Sequence, residues 1–127
     1  MELVLYYNPL PLADTSRLRS ILAAQGAELR PLTDGQLGQT VGHLSGLSGY
    51  PAVPAAGGSF PEPVMVFCGF TRERLDTVME ALRTGGAPRA LKAVQTPTNA
   101  AWSLLQLAEE LRSERAEIAK ALQKKEE

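Results

Sequence analysis

Apolar residues fall into two kinds of pattern along this chain. Leu3-Val4-Leu5-Tyr6-Tyr7 and Val64-Met65-Val66-Phe67-Cys68 are unbroken apolar runs of strand length, the signature of strands covered on both faces. Asn8-Pro9 stops the first run, and Gly69-Phe70 turns the chain after the second. A helical period follows each. Leu18, Ile21 and Leu22 lie on one face behind the N-cap residues Asp14, Thr15 and Ser16, and Gly26 suits the position just past the helix end. Leu75, Val78, Met79 and Leu82 recur at i, i+3, i+4 and i+7 behind Thr71, with Gly85-Gly86 as the stop. Each helix leads to a shorter strand, Leu29-Arg30-Pro31-Leu32 in one case and Leu91-Lys92-Ala93-Val94 in the other. Pro31 lacks an amide proton, which predicts an edge position or a strand end.

The pattern weakens after the first of these short strands. Thr33 and Gln36 have the spacing of a capping box, and Leu37, Val41 and Leu44 recur with helical period. Gly35, Gly38, Gly42, Gly46 and Gly49 oppose a helix, because each costs about 1 kcal/mol relative to alanine in a helix interior. On a helix these glycines form one bare stripe, useful where a backbone or ligand approaches closely; otherwise the segment is a loop. The segment 50–63 is rich in Pro, Gly and Ala and has no period. After the last strand, Thr96 with Pro97, or Thr98, starts a helix predicted to run unbroken to the chain end. Leu104, Leu111 and Ile118 are seven apart on it, and Ala108, Arg115 and Leu122 form a partial second seam.

This order predicts one small α/β domain of two consecutive β-α-β-α halves, 1–49 and 64–127, joined by the 50–63 connector. The sheet is expected to be largely parallel, with a long C-terminal helix. A thioredoxin-like or ferredoxin-like mixed sheet is the alternative, and the thioredoxin form requires an antiparallel pair in the second half. In a parallel sheet all strand C-termini share one edge, where ligands bind. That edge would gather Tyr7-Asn8, Thr33-Asp34, Cys68-Gly69-Phe70, Thr71 and Thr96-Pro97-Thr98-Asn99, with Trp102 available at the rim to stack on a ligand. Helix N-termini there favour an anion or a small polar molecule. The plain reading is that the Thr and Asn residues are caps, Trp102 a core anchor and Cys68 a buried hydrophobe.

Composition narrows the chemistry. In 127 residues, 13 Lys and Arg against 14 Asp and Glu leave a net charge of −1, with signs mixed along the second half, so no nucleic-acid stripe is expected. One Cys excludes an intramolecular disulfide framework and a Cys-rich zinc site. A lone thiol and the absence of a signal-like or membrane-length apolar run predict a cytoplasmic protein with no membrane partner. A Cys68/His43 nucleophile pair is formally available, but no spacing supports it. Phosphate-loop, dinucleotide, zinc-protease and serine-hydrolase motifs are all missing. No catalytic residue, metal site or cofactor is therefore assigned.

The run VMVFCGFTRERLDTVMEALRTGGAPRALKAVQTPTNAAWSLLQLAEEL resembles an uncharacterised bacterial family, domain of unknown function 3783. The strand into Gly69-Phe70, the helix around Leu75 and Leu82, Leu91 to Val94, and then Thr96, Thr98, Asn99 and Trp102 carry the likeness, over about residues 63–111. The resemblance implies a bacterial protein and supplies no activity. The opening LYYNP with a Ser-Arg helix start also resembles arsenate-reductase-like thioredoxin folds, which carry a reactive Cys after that strand; 9–13 here contain none. The leading functional expectation is a non-enzymatic binding or regulatory module. It would form a homodimer or engage a protein partner through Leu111, Ile118 and Leu122. The alternative is a small-molecule or anion binder, or a thiol-dependent enzyme, at the strand rim.

Overall fold

In the computed structural model, which describes residues 2–10, 14–54 and 57–126, the chain forms a three-layer α/β domain. Met1, Pro11, Leu12, Ala13, Ala55, Ala56 and Glu127 lie outside the described residues. The first half carries β1 (Leu3–Tyr7), α1 (Ser16–Ala24), β2 (Glu28–Leu32) and the short α2 (Val41–Ser45). The second carries β3 (Val64–Cys68), α3 (Arg72–Thr84), β4 (Leu91–Val94) and α4 (Leu104–Glu126). The sheet order is β2-β1-β3-β4. β1 runs parallel to β2, and β3 parallel to β4, as each helical crossover requires.

The two halves meet antiparallel. β1 pairs with β3 so that Leu3 faces Cys68 and Tyr7 faces Val64. The sheet is thus mixed but mostly parallel, and its antiparallel pair lies between the halves. The second half is parallel throughout, unlike the thioredoxin-like alternative. Both apolar runs end up as the two central strands, buried at every residue. Alternate side chains feed two cores. Leu3, Leu5, Tyr7, Val64, Val66 and Cys68 meet α2 and α4 on one face. Val4, Tyr6, Met65 and Phe67 meet α1 and α3 on the other. Full burial of each such Val, Leu or Phe contributes about 1.5–3 kcal/mol relative to exposure. Pro31 sits in β2, an edge strand, where its missing amide proton breaks no ladder bond.

The halves repeat each other in detail. Leu18 and Leu22 of α1 are matched by Val78 and Leu82 of α3, all four buried. Gly26 (φ 76°) and Gly86 (φ 71°) turn the chain in the left-handed region that favours glycine. The next amide then bonds back into the helix, Ala27 N to Leu22 O and Ala87 N to Leu82 O. Further on, Thr33 N donates to Gln36 Oε1 at 2.8 Å and Thr96 N to Asn99 Oδ1 at 2.8 Å. Thr40 and Ser103 cap α2 and α4 by accepting from His43 N and Gln106 N. They also pair with each other as an antiparallel bridge, flanked by Val41 N to Trp102 O and Leu104 N to Gln39 O. These reciprocal bonds relate the halves by a local two-fold axis.

That same bridge corrects the last helix. It does not run unbroken from Pro97. A single 3-10 turn (Asn99–Ala101) comes first, Trp102 is extended, and α4 starts at Leu104. The strand-like bridge to Thr40 outweighs local helix propensity at Trp102 and Ser103. The glycine-rich segment is likewise neither one helix nor one loop. The Thr33/Gln36 capping box opens a 3-10 turn (Asp34–Gln36), and α2 follows with Gly46 (φ 85°) as its left-handed cap. Gly42 answers the question of close approach: a Cβ there would lie 2.6 Å from Cγ of Tyr50. The bare position is filled by that tyrosine ring.

Candidate functional site

The antiparallel seam divides the expected rim. The C-termini of β1 and β2 open at one edge of the sheet, and those of β3 and β4 at the opposite edge. Asn8 is therefore separated from Cys68, Gly69, Thr71, Thr96, Thr98 and Asn99. The expectation of one shared mouth fails because strand direction reverses between β1 and β3, which no local pattern in either strand encodes.

At the second-half edge, most of the chemistry-bearing groups are engaged in holding the chain. Cys68 is buried under α2 and α4, its Sγ 3.8 Å from Val66 O, and burial pushes the thiol up from 9.0 to about 12. A thiol so protonated is a poor nucleophile at neutral pH. His43 Nδ1 lies 3.0 Å from Tyr50 O, on α2, and no hydrogen bond joins it to Cys68 among the described residues. Gly69 (φ 79°) turns the chain out of β3, and Thr71 Oγ1 caps α3 by accepting from Arg74 N at 3.2 Å. Asn99, 8% exposed, accepts from Thr96 N and donates to Val94 O at 3.0 Å, while its own amide donates to Thr96 Oγ1 at 3.1 Å. Thr98 is exposed and makes no side-chain cap. Trp102 packs against the core beside Leu105. Thr96 also lines a shallow recess of about 340 Å³ with Tyr50 and Gln95.

The first-half edge holds a larger opening, a cleft of about 490 Å³ between the loop after β1 and the loop after β2. The strand pleat sends neighbouring tyrosines to opposite faces, and each hydroxyl meets a residue of the loops at this end. Tyr6 accepts from Asn8 Nδ2 at 2.9 Å, and Tyr7 donates to Asp34 Oδ1 at 2.6 Å. Burial, then the hydrogen bond to Asp34, raises the Tyr7 phenol above its usual range. The sequence did not single out Tyr6 at this mouth. The signal was a paired tyrosine at a strand end, read only as apolar strand.

The third candidate is the distal part of α4. Leu104, Leu107 and Ala108 are buried and Leu111 is half-buried against the core. Beyond it Arg115 forms hydrogen bonds of 2.7 and 2.9 Å to Glu62, and this guanidinium holds the Glu62 carboxyl below the usual range. Ile118 and Leu122 then stand 61% and 58% exposed.

Among the described residues no three His, Cys, Asp or Glu side chains cluster as metal ligands, and no helix is long and apolar enough to cross a membrane. No match was found among curated proteins or among solved structures. The family comparison does match: it begins at residue 63, just before β3, and runs through α3 and β4 into α4 as far as residue 118, seven residues beyond the span of likeness expected. Residues 63–118 of this chain match the family model of DUF3783, a domain of unknown function.

Proposed function

We propose that this protein is a non-enzymatic interaction module that self-associates weakly through the distal stripe of α4. The observation that carries this reading is the exposure of Ile118 and Leu122 on a stripe continuing from half-buried Leu111, past the last core contact of the helix. Such a seven-residue spacing is the seam by which helices pair. The occupant best suited to it is a second copy, antiparallel. Glu114 and Glu117 precede the centre of the stripe and Lys120 follows it, while Arg112 and Arg115 are engaged by Glu62. Antiparallel copies set these acids against Lys120 of the other copy, and the same patch serves both partners. The stripe is short, so the contact belongs with small, transient interfaces rather than permanent dimers. A bacterial cytoplasm is the compartment we infer, from the family resemblance and from a lone thiol with no disulfide partner.

Solution mass measured from about 10 µM to about 1 mM, the range in which such small interfaces form, tests this. The wild-type mass rises with concentration, less so at high salt, where the charge pairing is screened. The double variant Ile118→Glu/Leu122→Glu stays monomeric with an unchanged melting temperature, since neither side chain is in the core. A wild-type chain that remains monomeric across the range overturns the reading.

A further inference from the structure

We propose that the cleft at the C-terminal ends of β1 and β2 binds a small organic ammonium, a primary amine on a short apolar arm. Its volume, about 490 Å³, is within the span of small-molecule sites, and the crevice beyond the C-termini of parallel strands is where such sites form in α/β proteins. Asp34 carries the one formal charge among its described lining residues, which include no Lys, Arg or His. That sign selects against anions. The N-terminus of α1 offers an anion little beside it, because Asp14 Oδ1 already accepts from Ser16 N at 2.9 Å.

The carboxylate is placed rather than free. Tyr7 holds Oδ1 at 2.6 Å, and among the described residues nothing bonds Oδ2. An ammonium donates there as a charge-assisted hydrogen bond. A single carboxylate is too few for a divalent ion, which needs several oxygen ligands. Tyr6, 3% exposed, brings its hydroxyl to the cleft, with Asn8 donating to it and no acceptor for its own proton among the described residues. Pro9 and Leu10 supply apolar wall for a short alkyl arm.

The test uses the full chain and three probes of one size: n-butylammonium, butyrate and n-butanol, each titrated while backbone amide resonances are followed by NMR. Butylammonium is expected to shift Asn8, Thr33, Asp34 and Gly35 saturably, and butyrate and butanol are expected to leave them in place. Asp34→Asn keeps an oxygen to accept from Tyr7, so its fold is retained, and it weakens the ammonium by about tenfold or more. The three-probe comparison on the unaltered chain needs no variant. No saturable shift with butylammonium, an equal response to butyrate or butanol, or full binding by folded Asp34→Asn overturns the proposal.

Discussion

Single residues in this protein mostly serve the fold, and Cys68 is the clearest case. Its thiol is raised from 9.0 to about 12 by burial in the core beneath α2 and α4. The unfolded chain therefore releases this proton first as pH rises. The group's contribution to stability is complete below pH 9.0, declines above it, and is gone by about pH 12. Urea midpoints of wild type and Cys68→Val at about pH 8 and about pH 10 measure this linkage. Wild type loses more stability across that interval than the variant, in which the titrating group is absent. Iodoacetamide at neutral pH labels Cys68 only as fast as the chain unfolds. Rapid labelling of the native protein would contradict the burial.

At the scale of elements, the two T-x-x-(Q/N) turns are the pieces that end a strand and redirect the chain. Asn99 is nearly closed off, and its side chain bonds both Thr96 N and Val94 O. Asn99→Ala leaves those groups unpaired and is expected to cost about 1–3 kcal/mol in chemical denaturation. Thr98→Ala, at an exposed residue without a side-chain cap bond, stays within about 0.5 kcal/mol. Equal effects at the two positions would remove the structural role assigned to Asn99. The elements also show how far local sequence carries. Five-residue apolar runs, helical period and Gly stops located β1, β3, α3 and β4, because those signals are local and act together. The segment of α2 stays open between helix and loop in the sequence, and the last helix starts later than expected, because there the deciding contact, Thr40 against Ser103, spans the two halves.

For the whole molecule, each half is a β-α-β-α unit whose first strand needs the other half as a neighbour. β1 and β3 cover each other's edge, Arg74 of α3 donates to Glu2 at 2.8 and 2.6 Å, and Val41 and Leu104 exchange amide bonds with Trp102 and Gln39. The full chain is expected to unfold in one transition, with circular dichroism and tyrosine fluorescence coincident. A fragment of residues 63–127, although it contains the DUF3783 match, exposes the β3 edge and part of both cores. It is expected to show no cooperative transition; a stably folded monomeric fragment would refute this dependence.

The sequence by itself determined where β1, α1, β3, α3 and β4 lie, that the elements come in two similar halves, and that α4 outlasts its core. Those properties follow from side-chain period, capping and turn residues, all readable within a few positions. Only the tertiary structure decided that β3 runs against β1, and so that Asn8 and Cys68 open at opposite edges. It also decided that Gly42 makes room for Tyr50 and that Tyr7 reaches Asp34. Strand direction and cross-chain fit depend on pairing between residues tens of positions apart, and a hydrophobic run reads the same in either direction.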